Sequence, residues 1–434
     1  MQCLREREGL RRPAARRTVP LRFRKAQGAR SVHGIHCCIS FESVAGFRQL
    51  SAKARIQSNE REDMPRFTPL VEGLPSAVPF VGPEAQERAM GARFKARIGA
   101  NENVFGTSPK ALSAMLEASL ESWQYADPES HDLRCALAEK HQVGFENVVV
   151  GEGIDGLLGY LVRMLVEPGT TVVTSSGAYP TFNYHVHGYG GRLVCVPYVA
   201  DKECAELLVR TANREGAAIV YLANPDNPMG TYSSAKSIMK ELDRLSEDCV
   251  MVVDEAYVEC APADAAMTVD IDRPNLIVMR TFSKAYGMAG ARVGYAMGSS
   301  ELVGAFEKVR NHFGMSRPGQ AAALAALQDE EHLVQVVRQI TESKERIRGI
   351  AENLHMDSIP SAANFVAIDC QRGEDYAREV LNALARRGIF VRMPMVWPQS
   401  RCIRVSAGTQ ADLDLLERHL PHALDEAFRI RYRR

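Results

Sequence analysis

A lysine between hydroxyl-bearing residues, Lys284, is followed eight positions later by Arg292. A lysine amine condenses with a carbonyl only when it is partly deprotonated, which requires desolvation or a neighbouring positive charge. The hydroxyls of Thr281 and Ser283 suit phosphate oxygens, and the planar guanidinium of Arg292 can bind a phosphate through two hydrogen bonds. The segment therefore contains the groups that a phosphorylated carbonyl cofactor such as pyridoxal phosphate needs, although the same residue types also occur together in surface loops.

An acidic residue, Asp254, ends an apolar run upstream of this lysine. Residues 250–254 read Val-Met-Val-Val-Asp, which predicts a buried strand, and α/β sheets bind ligands at the carboxyl ends of such strands. There Asp254 would keep a pyridine nitrogen protonated, so that the ring draws electrons from a substrate carbon. Tyr257, one short turn later, would hydrogen-bond the ring's phenolic oxygen. The alternative is an aspartate that caps a helix.

Two further turns would complete a cofactor site. The apolar strand 217–222 leads into the loop 224–230, whose two Asn-Pro pairs and glycine fix the amide of Asn227 in space. The glycine-containing turn 151–155 opens an apolar helix, so its backbone N–H groups and the helix dipole can bind a phosphate. A turn of this kind also occurs for packing reasons.

In type, order and spacing, these elements resemble the pyridoxal-phosphate aminotransferases of fold type I, and most of all the histidinol-phosphate aminotransferase group. The resemblance covers about residues 64–425. It implies pyridoxal 5'-phosphate as cofactor and an α/β fold, with a large domain of mostly parallel sheet wrapped by helices and a smaller α+β domain. The other motifs that carry it are Asn101-Glu102-Asn103, Gly106-x-Ser108-Pro109, Tyr125-x-Asp127-Pro128, Leu133-Arg134, Ala363-Asn364-Phe365 and Arg404-Val405-Ser406-x-Gly408-Thr409.

The resemblance implies the roles of the cofactor-site residues. Lys284 would hold the cofactor covalently and then shuttle the proton between the substrate's α-carbon and the cofactor. Asp254 would pair with the ring nitrogen, and Asn227 and Tyr257 with the phenolic oxygen. Tyr179 would stack on the ring face. The residues that would hold the phosphate are Ile154, Asp155, Thr281, Ser283 and Arg292.

The resemblance also implies how substrates bind. Arg404, with Arg392 and Asn364, would bind the anionic end of an amino-acid or amino-phosphate substrate and of a 2-oxo acid in turn, by a ping-pong mechanism. The implied reaction converts L-histidinol phosphate and 2-oxoglutarate into imidazole acetol phosphate and L-glutamate, a step of histidine biosynthesis. Tyr125 resembles a tyrosine that reaches into the partner's site, which implies a homodimer. Neither a metal, a membrane nor a nucleic acid is expected as a partner.

The chain departs from the family pattern in three places. Asp226 and Met229 stand where these enzymes usually carry asparagine and threonine, and Val104 stands where they carry proline. Phe80 stands where the histidinol-phosphate enzymes tend to carry a tyrosine over the substrate's ring, so an aromatic or other neutral amino acid fits equally well. A threonine-phosphate decarboxylase of the same fold and a DNA-binding regulator that uses the fold as a sensor are the remaining alternatives.

Strand-like and helical segments alternate through the middle of the chain, which is typical of a mostly parallel sheet. The predicted strands are 148–150, 170–175, 193–198, 217–222, 250–254 and 276–280. A helix with an apolar stripe is predicted near 331–354. We expect a large cofactor-binding domain over 130–320, and a smaller domain built from 321–434 together with part of 64–129, which also contains an N-terminal arm.

Composition is that of a large enzyme without a membrane span. Hydrophobic residues make up 46% of the 434 residues, and no apolar run approaches the roughly 18–20 residues that a bilayer requires. The ten cysteines are scattered, which favours reduced thiols in a cytoplasm. His185 and His187 would point to different faces of a helix, so no metal site is predicted there.

The first 63 residues differ from the rest in charge. They contain 14 Lys and Arg against 6 Asp and Glu, whereas the remaining residues contain 39 against 47. Residues 1–63 are predicted to be a basic, disordered extension or the product of a start codon placed too early. A transit peptide or a nucleic-acid-binding arm is the alternative, and an organellar signal would change the expected cytoplasmic location.

Overall fold

A computed structural model of the chain describes residues 66–75 and 81–432. The predictions about residues 1–63 and about Phe80 therefore lie outside the described residues. Within those two ranges, no helix combines the length and the apolar composition that a membrane span needs.

Thirteen α-helices are present in the part of the chain that the structure describes. Several begin at a serine or threonine whose side chain accepts backbone N–H groups, as at Ser108, Ser234 and Ser316. The helices, α1 to α13 in chain order, are Pro69–Gly73, Pro83–Met90, Pro109–Ser119, His131–His141, Gly153–Leu165, Pro180–Gly188, Ala205–Glu215, Ala235–Leu242, Ser300–Phe306, Arg317–Leu327, Glu330–Asn353, Glu374–Arg386 and Gln410–Tyr432.

Eleven strands are described, and seven of them form one sheet. They are, β1 to β11 in chain order, Ala96–Arg97, Val148–Gly151, Thr171–Ser175, Arg192–Val196, Ile219–Ala223, Val250–Asp254, Leu276–Thr281, Gly294–Gly298, Phe365–Asp369, Ile389–Phe390 and Cys402–Ser406. The seven-stranded sheet has the order β2-β8-β7-β6-β5-β3-β4. Every pairing is parallel except those of β8 with β2 and β7. The predicted α/β fold with a mostly parallel sheet is confirmed, and all six predicted strands are found within two residues of their expected starts and ends.

The central sheet is buried on both faces, which explains the near-continuous apolar sequences of its strands. One face packs with α4, α7, α8 and α10 around residues such as Leu137, Val220 and Phe282. The other packs with α5, α6 and α9 around residues such as Leu157 and Val252. Because both faces are covered by helices, polar side chains are accessible mainly at the ends of the strands.

A second group of elements has its own apolar core. Strands β9 and β11 pair antiparallel, β1 pairs parallel with β10, and helices α11, α12 and α13 pack beside them. The predicted helix near 331–354 is α11, and its stripe is buried at Val336, Ile340, Ile347 and Ile350. The division into domains at 64–129, 130–320 and 321–434 stays a prediction.

Candidate active site

The carboxyl ends of three adjacent parallel strands bring the central predicted residues together. In the sheet register, Ala223 at the end of β5 lies beside Asp254 at the end of β6, and Asp254 lies beside Met279 of β7. The loop that contains Asn227 follows β5, and the segment that contains Lys284 follows β7. Residues far apart in sequence therefore share one edge of the sheet, as expected for α/β ligand sites.

The carboxyl group of Asp254 is buried and hydrogen-bonded. The Tyr221 hydroxyl donates to it at 2.7 Å, and the backbone N–H of Ala256 donates to it at 3.0 Å. Burial raises the pKa of Asp254 to about 6, and the two hydrogen bonds oppose that rise. Tyr221 was not predicted as a site residue, because a tyrosine inside an apolar strand is more commonly a packing residue.

The Lys284 amine is largely desolvated and lies close to several site residues. Its Nζ atom donates to the carbonyl oxygen of Asn101 at 3.4 Å and lies 5.6 Å from the ring centre of Tyr257. Burial, together with the positive charges of Arg404 and Arg292, lowers the pKa of Lys284 to about 8. The site thus supplies the partly neutral amine that reaction with a carbonyl requires.

The Tyr257 hydroxyl accepts hydrogen bonds from two side-chain amides. The side-chain NH2 groups of Asn101 and Asn227 donate to it at 3.0 and 3.4 Å. Asn101 has a left-handed backbone with φ 56°, and its carbonyl also accepts the side-chain NH2 of Asn364 at 3.0 Å. Asn101 was not predicted to have a role of its own, because a left-handed asparagine is recognisable only from the backbone.

Two arginines of the predicted substrate site are neighbours across a β-bridge. The backbone N–H of Arg404 donates to the Arg392 carbonyl at 2.6 Å, and the reverse bond is 3.1 Å. The Arg404 guanidinium donates to Asn227 Oδ1 and, at 3.3 Å, to the Gly99 carbonyl. Burial lowers the pKa of Arg404 to about 10, and its Nε has no hydrogen-bond partner among the described residues. The Arg392 guanidinium donates to the Val81 carbonyl at 2.9 Å.

The predicted phosphate-binding groups also converge. The Arg292 guanidinium donates to Ser283 Oγ at 3.3 Å and to the Glu152 carbonyl, directly before α5, at 3.4 Å. The Thr281 hydroxyl donates to Ser283 Oγ at 2.9 Å. Gly153 has φ 77°, and a Cβ there would lie 2.5 Å from Arg292 Nη2. Only glycine allows the helix start and the guanidinium to approach so closely.

The helix residues that follow are placed differently from each other. Ile154 is buried, whereas the carboxylate of Asp155 lies within hydrogen-bond distance of His185 Nε2, at 3.1 Å. This contact joins α5 to α6 directly after the glycine-containing turn. The contact of His185 with Asp155 was not predicted, because the spacing of His185 and His187 suggests only the question of a metal site.

Two predicted aromatic residues have contrasting environments. Tyr179 is half-buried immediately before α6, and burial raises the pKa of its hydroxyl to about 12. Tyr125 is 77% exposed, and its ring lies 4.7 Å from that of Phe313. Within the described residues, no hydrogen bond, ion pair or ring contact joins Tyr125 to another predicted site residue.

Comparison with known proteins settles the family. Residues 95–420 match the model of aminotransferase class I and II. The chain belongs to this family. Histidinol-phosphate aminotransferase 1 of Mesorhizobium japonicum is 36% identical over 341 residues, which cover 76% of this chain and 90% of that protein. Histidinol-phosphate aminotransferase 2 of Carboxydothermus hydrogenoformans is 34% identical over 343 residues, which cover 78% of this chain and 94% of that protein.

Solved structures agree with this assignment. The histidinol-phosphate aminotransferase from Sinorhizobium meliloti, in complex with pyridoxal-5'-phosphate, is 51% identical, with a TM-score of 0.81 and coverage of 83% of this chain and 98% of that chain. A double mutant of Thermus thermophilus aspartate aminotransferase shows the same fold, with a TM-score of 0.70 and 23% identity. The match covers 85% of this chain and 100% of that chain. The chain is a pyridoxal-phosphate-dependent aminotransferase of fold type I.

The residues present fit this cofactor. A buried carboxylate, a desolvated lysine and a group of phosphate-binding donors lie around one edge of the sheet, and each matches one part of pyridoxal phosphate. The phosphate donors include the start of the 13-residue helix α5, where backbone N–H groups lack partners within the helix.

The low pKa of Lys284 predicts how the apoenzyme takes up its cofactor. Because only the neutral amine reacts, we expect the rate of covalent uptake to rise with pH through about 8 and then to level off. Stopped-flow absorbance after mixing apoenzyme with pyridoxal phosphate measures this rate. Arg404→Gln removes a positive charge that lowers the pKa, so its midpoint should move to higher pH. A rate that still rises steeply near pH 10 would contradict the desolvated lysine.

Proposed function

We propose that this aminotransferase moves the amino group of L-histidinol phosphate to 2-oxoglutarate, producing imidazole acetol phosphate and L-glutamate, or catalyses the reverse reaction. The observation that carries the proposal is the pair of Arg392 and Arg404, whose backbones form a β-bridge and whose charges act on each other, with the charge of Arg404 also acting on Lys284. Two adjacent guanidinium groups can bind the phosphate of one substrate and the carboxylate of the other. The names of the relatives above support the same substrate.

Pyridoxal phosphate, when bound, supplies an aldehyde that reacts with amines and a ring that draws electrons from the substrate's α-carbon. Asp254 would hold a negative charge against the ring nitrogen, at the bottom of the site. Tyr257 and Asn227 would donate to the phenolic oxygen, since their polar atoms already lie 3.4 Å apart. Tyr179 would lie against the ring face. The phosphate would be held by Thr281, Ser283, Arg292 and the backbone of Ile154 and Asp155.

Lys284 would have two successive roles in the reaction. It would first bind the cofactor, and after its amine is released by substrate it would take the proton from the substrate's α-carbon. A pKa of about 8 suits this role, because the neutral amine is then available near neutral pH as a base. The protonated amine would next donate that proton to the cofactor's C4′.

A ping-pong reaction requires that both substrates use one anion site. Arg404 and Arg392 would bind histidinol phosphate through its phosphate and glutamate through its carboxylate. Asn364 would assist by donating its side-chain NH2, which the Asn101 carbonyl accepts at 3.0 Å in this structure, to the anionic group of the substrate. The buried Nε of Arg404 has no hydrogen-bond partner within the described residues, so a bound anion would accept from a donor that is otherwise left unpaired.

Substitution of Arg404 tests the shared anion site. Arg404→Lys keeps the charge but loses the planar fork, so we expect the KM values for histidinol phosphate and for glutamate to rise together, by about tenfold to a hundredfold. Steady-state kinetics with each substrate varied in turn provide the measurement. Arg273→Lys, at a partly exposed ion pair with Asp243, is the matched control. A rise for only one substrate would show that the two anions bind separately.

A homodimer is part of the same proposal. An apolar surface runs along α3 and the segment after it, with side chains too large and too numerous for scattered surface residues. These exposed side chains are Leu112, Leu116, Leu120, Trp123, Tyr125 and Phe313. A second copy would cover this surface, and Tyr125 would then reach the partner's site. A cytoplasmic location, with an organellar signal in residues 1–63 as the alternative, completes the proposal.

The rate of the first half-reaction, in which a substrate gives its amino group to the cofactor, tests the proposed substrate. Purified holoenzyme that begins at Met64 is mixed separately with histidinol phosphate, phenylalanine, tyrosine and phosphothreonine, and loss of the visible cofactor band is followed. We expect rapid conversion by histidinol phosphate alone. Preference for phenylalanine or tyrosine would instead make the chain an aromatic aminotransferase, and carbon dioxide release from phosphothreonine would make it a decarboxylase.

A further inference from the structure

The segment Asn101–Asn103 is fixed against the reactive lysine on both sides. The Asn101 carbonyl accepts the Lys284 Nζ at 3.4 Å, and the side-chain NH2 of Asn103 donates to the Ala285 carbonyl at 2.9 Å. The Asn101 side chain is also held, by Tyr257 and by Ser406, whose hydroxyl donates to it at 2.9 Å. The residue between these anchors, Glu102, therefore has little freedom to move away from the lysine.

Glu102 differs from its two neighbours because its side chain has no partner of its own. It is half-buried, and among residues 66–75 and 81–432 no hydrogen bond or salt bridge holds its carboxylate. Its charge nevertheless acts on the reaction centre, because it raises the pKa of Lys284 against the lowering effects of burial and Arg404. A half-buried carboxylate without a partner can accept a hydrogen bond from a ligand.

The proposed substrate has a phosphate at one end and an imidazole ring at the other, and each requires different partners in the protein. The phosphate would bind Arg404 and Arg392, and the amine would take the place of Lys284 on the cofactor, which leaves the imidazole ring without an assigned partner. An imidazole carries one N–H donor when neutral and two when protonated, so a carboxylate is its natural acceptor. Glu102 is a negatively charged group near the lysine that neither the cofactor nor the anionic end of the substrate uses.

We propose that Glu102 determines substrate specificity by accepting a hydrogen bond from the imidazole N–H of the substrate; this inference rests on the proposed function. A phenyl ring offers no donor and would leave the carboxylate desolvated and unpaired. Sites that hydrogen-bond a substrate group reject analogues that lack it more strongly than apolar pockets reject a wrong shape. Glu102 would therefore favour an imidazole side chain over an aromatic hydrocarbon side chain.

The same carboxylate also acts on Lys284, and this second effect is separable. Its influence on the lysine pKa is present with every substrate, so it changes the limiting rate for all of them alike. A contact with the imidazole changes the apparent dissociation constant for imidazole substrates alone. Two substrates that differ only in the ring distinguish the two effects.

The experiment compares histidinol phosphate with phenylalaninol phosphate, which has the same amine and phosphate on a phenyl side chain. Single-turnover conversion of the holoenzyme gives an apparent dissociation constant and a limiting rate for each compound. In Glu102→Gln, which keeps the side-chain shape, we expect the constant for histidinol phosphate to rise about tenfold. The constant for phenylalaninol phosphate should stay within about threefold. Glu102→Ala should show a larger difference, and Glu167→Gln, at an exposed position, should show none.

Each outcome separates this inference from the proposed function. If the wild-type protein converts histidinol phosphate but Glu102→Gln weakens both compounds equally, the specificity role is wrong and the proposed function stands. The specificity role is also wrong if the wild-type protein binds both compounds equally well. If the wild-type protein fails to convert histidinol phosphate, the proposed function is wrong and the inference falls with it.

Discussion

Replacement of Lys284 by alanine is expected to lower kcat by at least about 10⁴-fold, the largest effect of any single substitution in this protein. The side chain has two roles, covalent attachment of the cofactor and proton transfer at the α-carbon, and alanine removes both. No other lysine has its amine in contact with Asn101 and over the Tyr257 ring among the described residues. A neighbouring amine therefore cannot replace it.

Two measurements check this expectation. The visible absorption of lysine-bound cofactor should be absent in Lys284→Ala, and small amines added to the solution should restore part of the proton transfer. Lys344→Met is the matched control, because Lys344 is also buried with a lowered pKa but donates to the Ser361 carbonyl away from these groups. It should lose stability and keep the visible band. Survival of the band in Lys284→Ala would show that another residue carries the cofactor.

The main parts of the fold follow from local sequence. Strands β3, β5, β6 and β7 are short β-branched runs buried on both faces, and a continuous apolar run of this kind indicates a parallel sheet without any knowledge of contacts. The positions of Asp254 and Lys284 follow as well, since parallel strands place their carboxyl ends at one edge. Strand β8 was not predicted, because Gly294 and Gly298 weaken its strand pattern. A Cβ at Gly294 would lie 2.7 Å from the backbone N of Ile154, so the glycine lets β8 pack against the phosphate-binding turn.

Contacts between distant segments were beyond local reasoning. The bonds of Asn101 to Ser406 and Asn364 join residues 305 and 263 positions apart. They depend on the pairing of β1, β9, β10 and β11, which no periodicity specifies. The resemblance to known aminotransferases named Arg404 and Arg392, but only the β-bridge explains why they adjoin. The contact between Asp155 and His185 could not be predicted from local sequence either, because it joins residues of two different helices.

The second large effect is expected for Asp254→Ala, which removes the carboxylate and should lower kcat by about 10³-fold. Burial raises the pKa of this group to about 6 in the protein alone, which shows that its charge is unfavourable there without a partner. A protonated ring nitrogen would provide that partner and would in turn be kept protonated. Without Asp254 no carboxylate would hold the ring nitrogen protonated, and the cofactor would draw electrons less strongly from the substrate's α-carbon.

The isosteric variant Asp254→Asn separates charge from packing. It keeps the size of the side chain and can still accept from the Tyr221 hydroxyl, so we expect it to retain the fold while losing activity nearly as far as alanine. The rate of exchange of the substrate's α-hydrogen for deuterium, followed by NMR, measures the electron-withdrawing step directly. Asp329→Asn is the matched control, since Asp329 is also buried and accepts two side-chain donors, Ser108 and Lys110. If Asp254→Asn exchanged the α-hydrogen as fast as the wild type, the ring nitrogen would not depend on this carboxylate, and its electrostatic role would have to be assigned to another group.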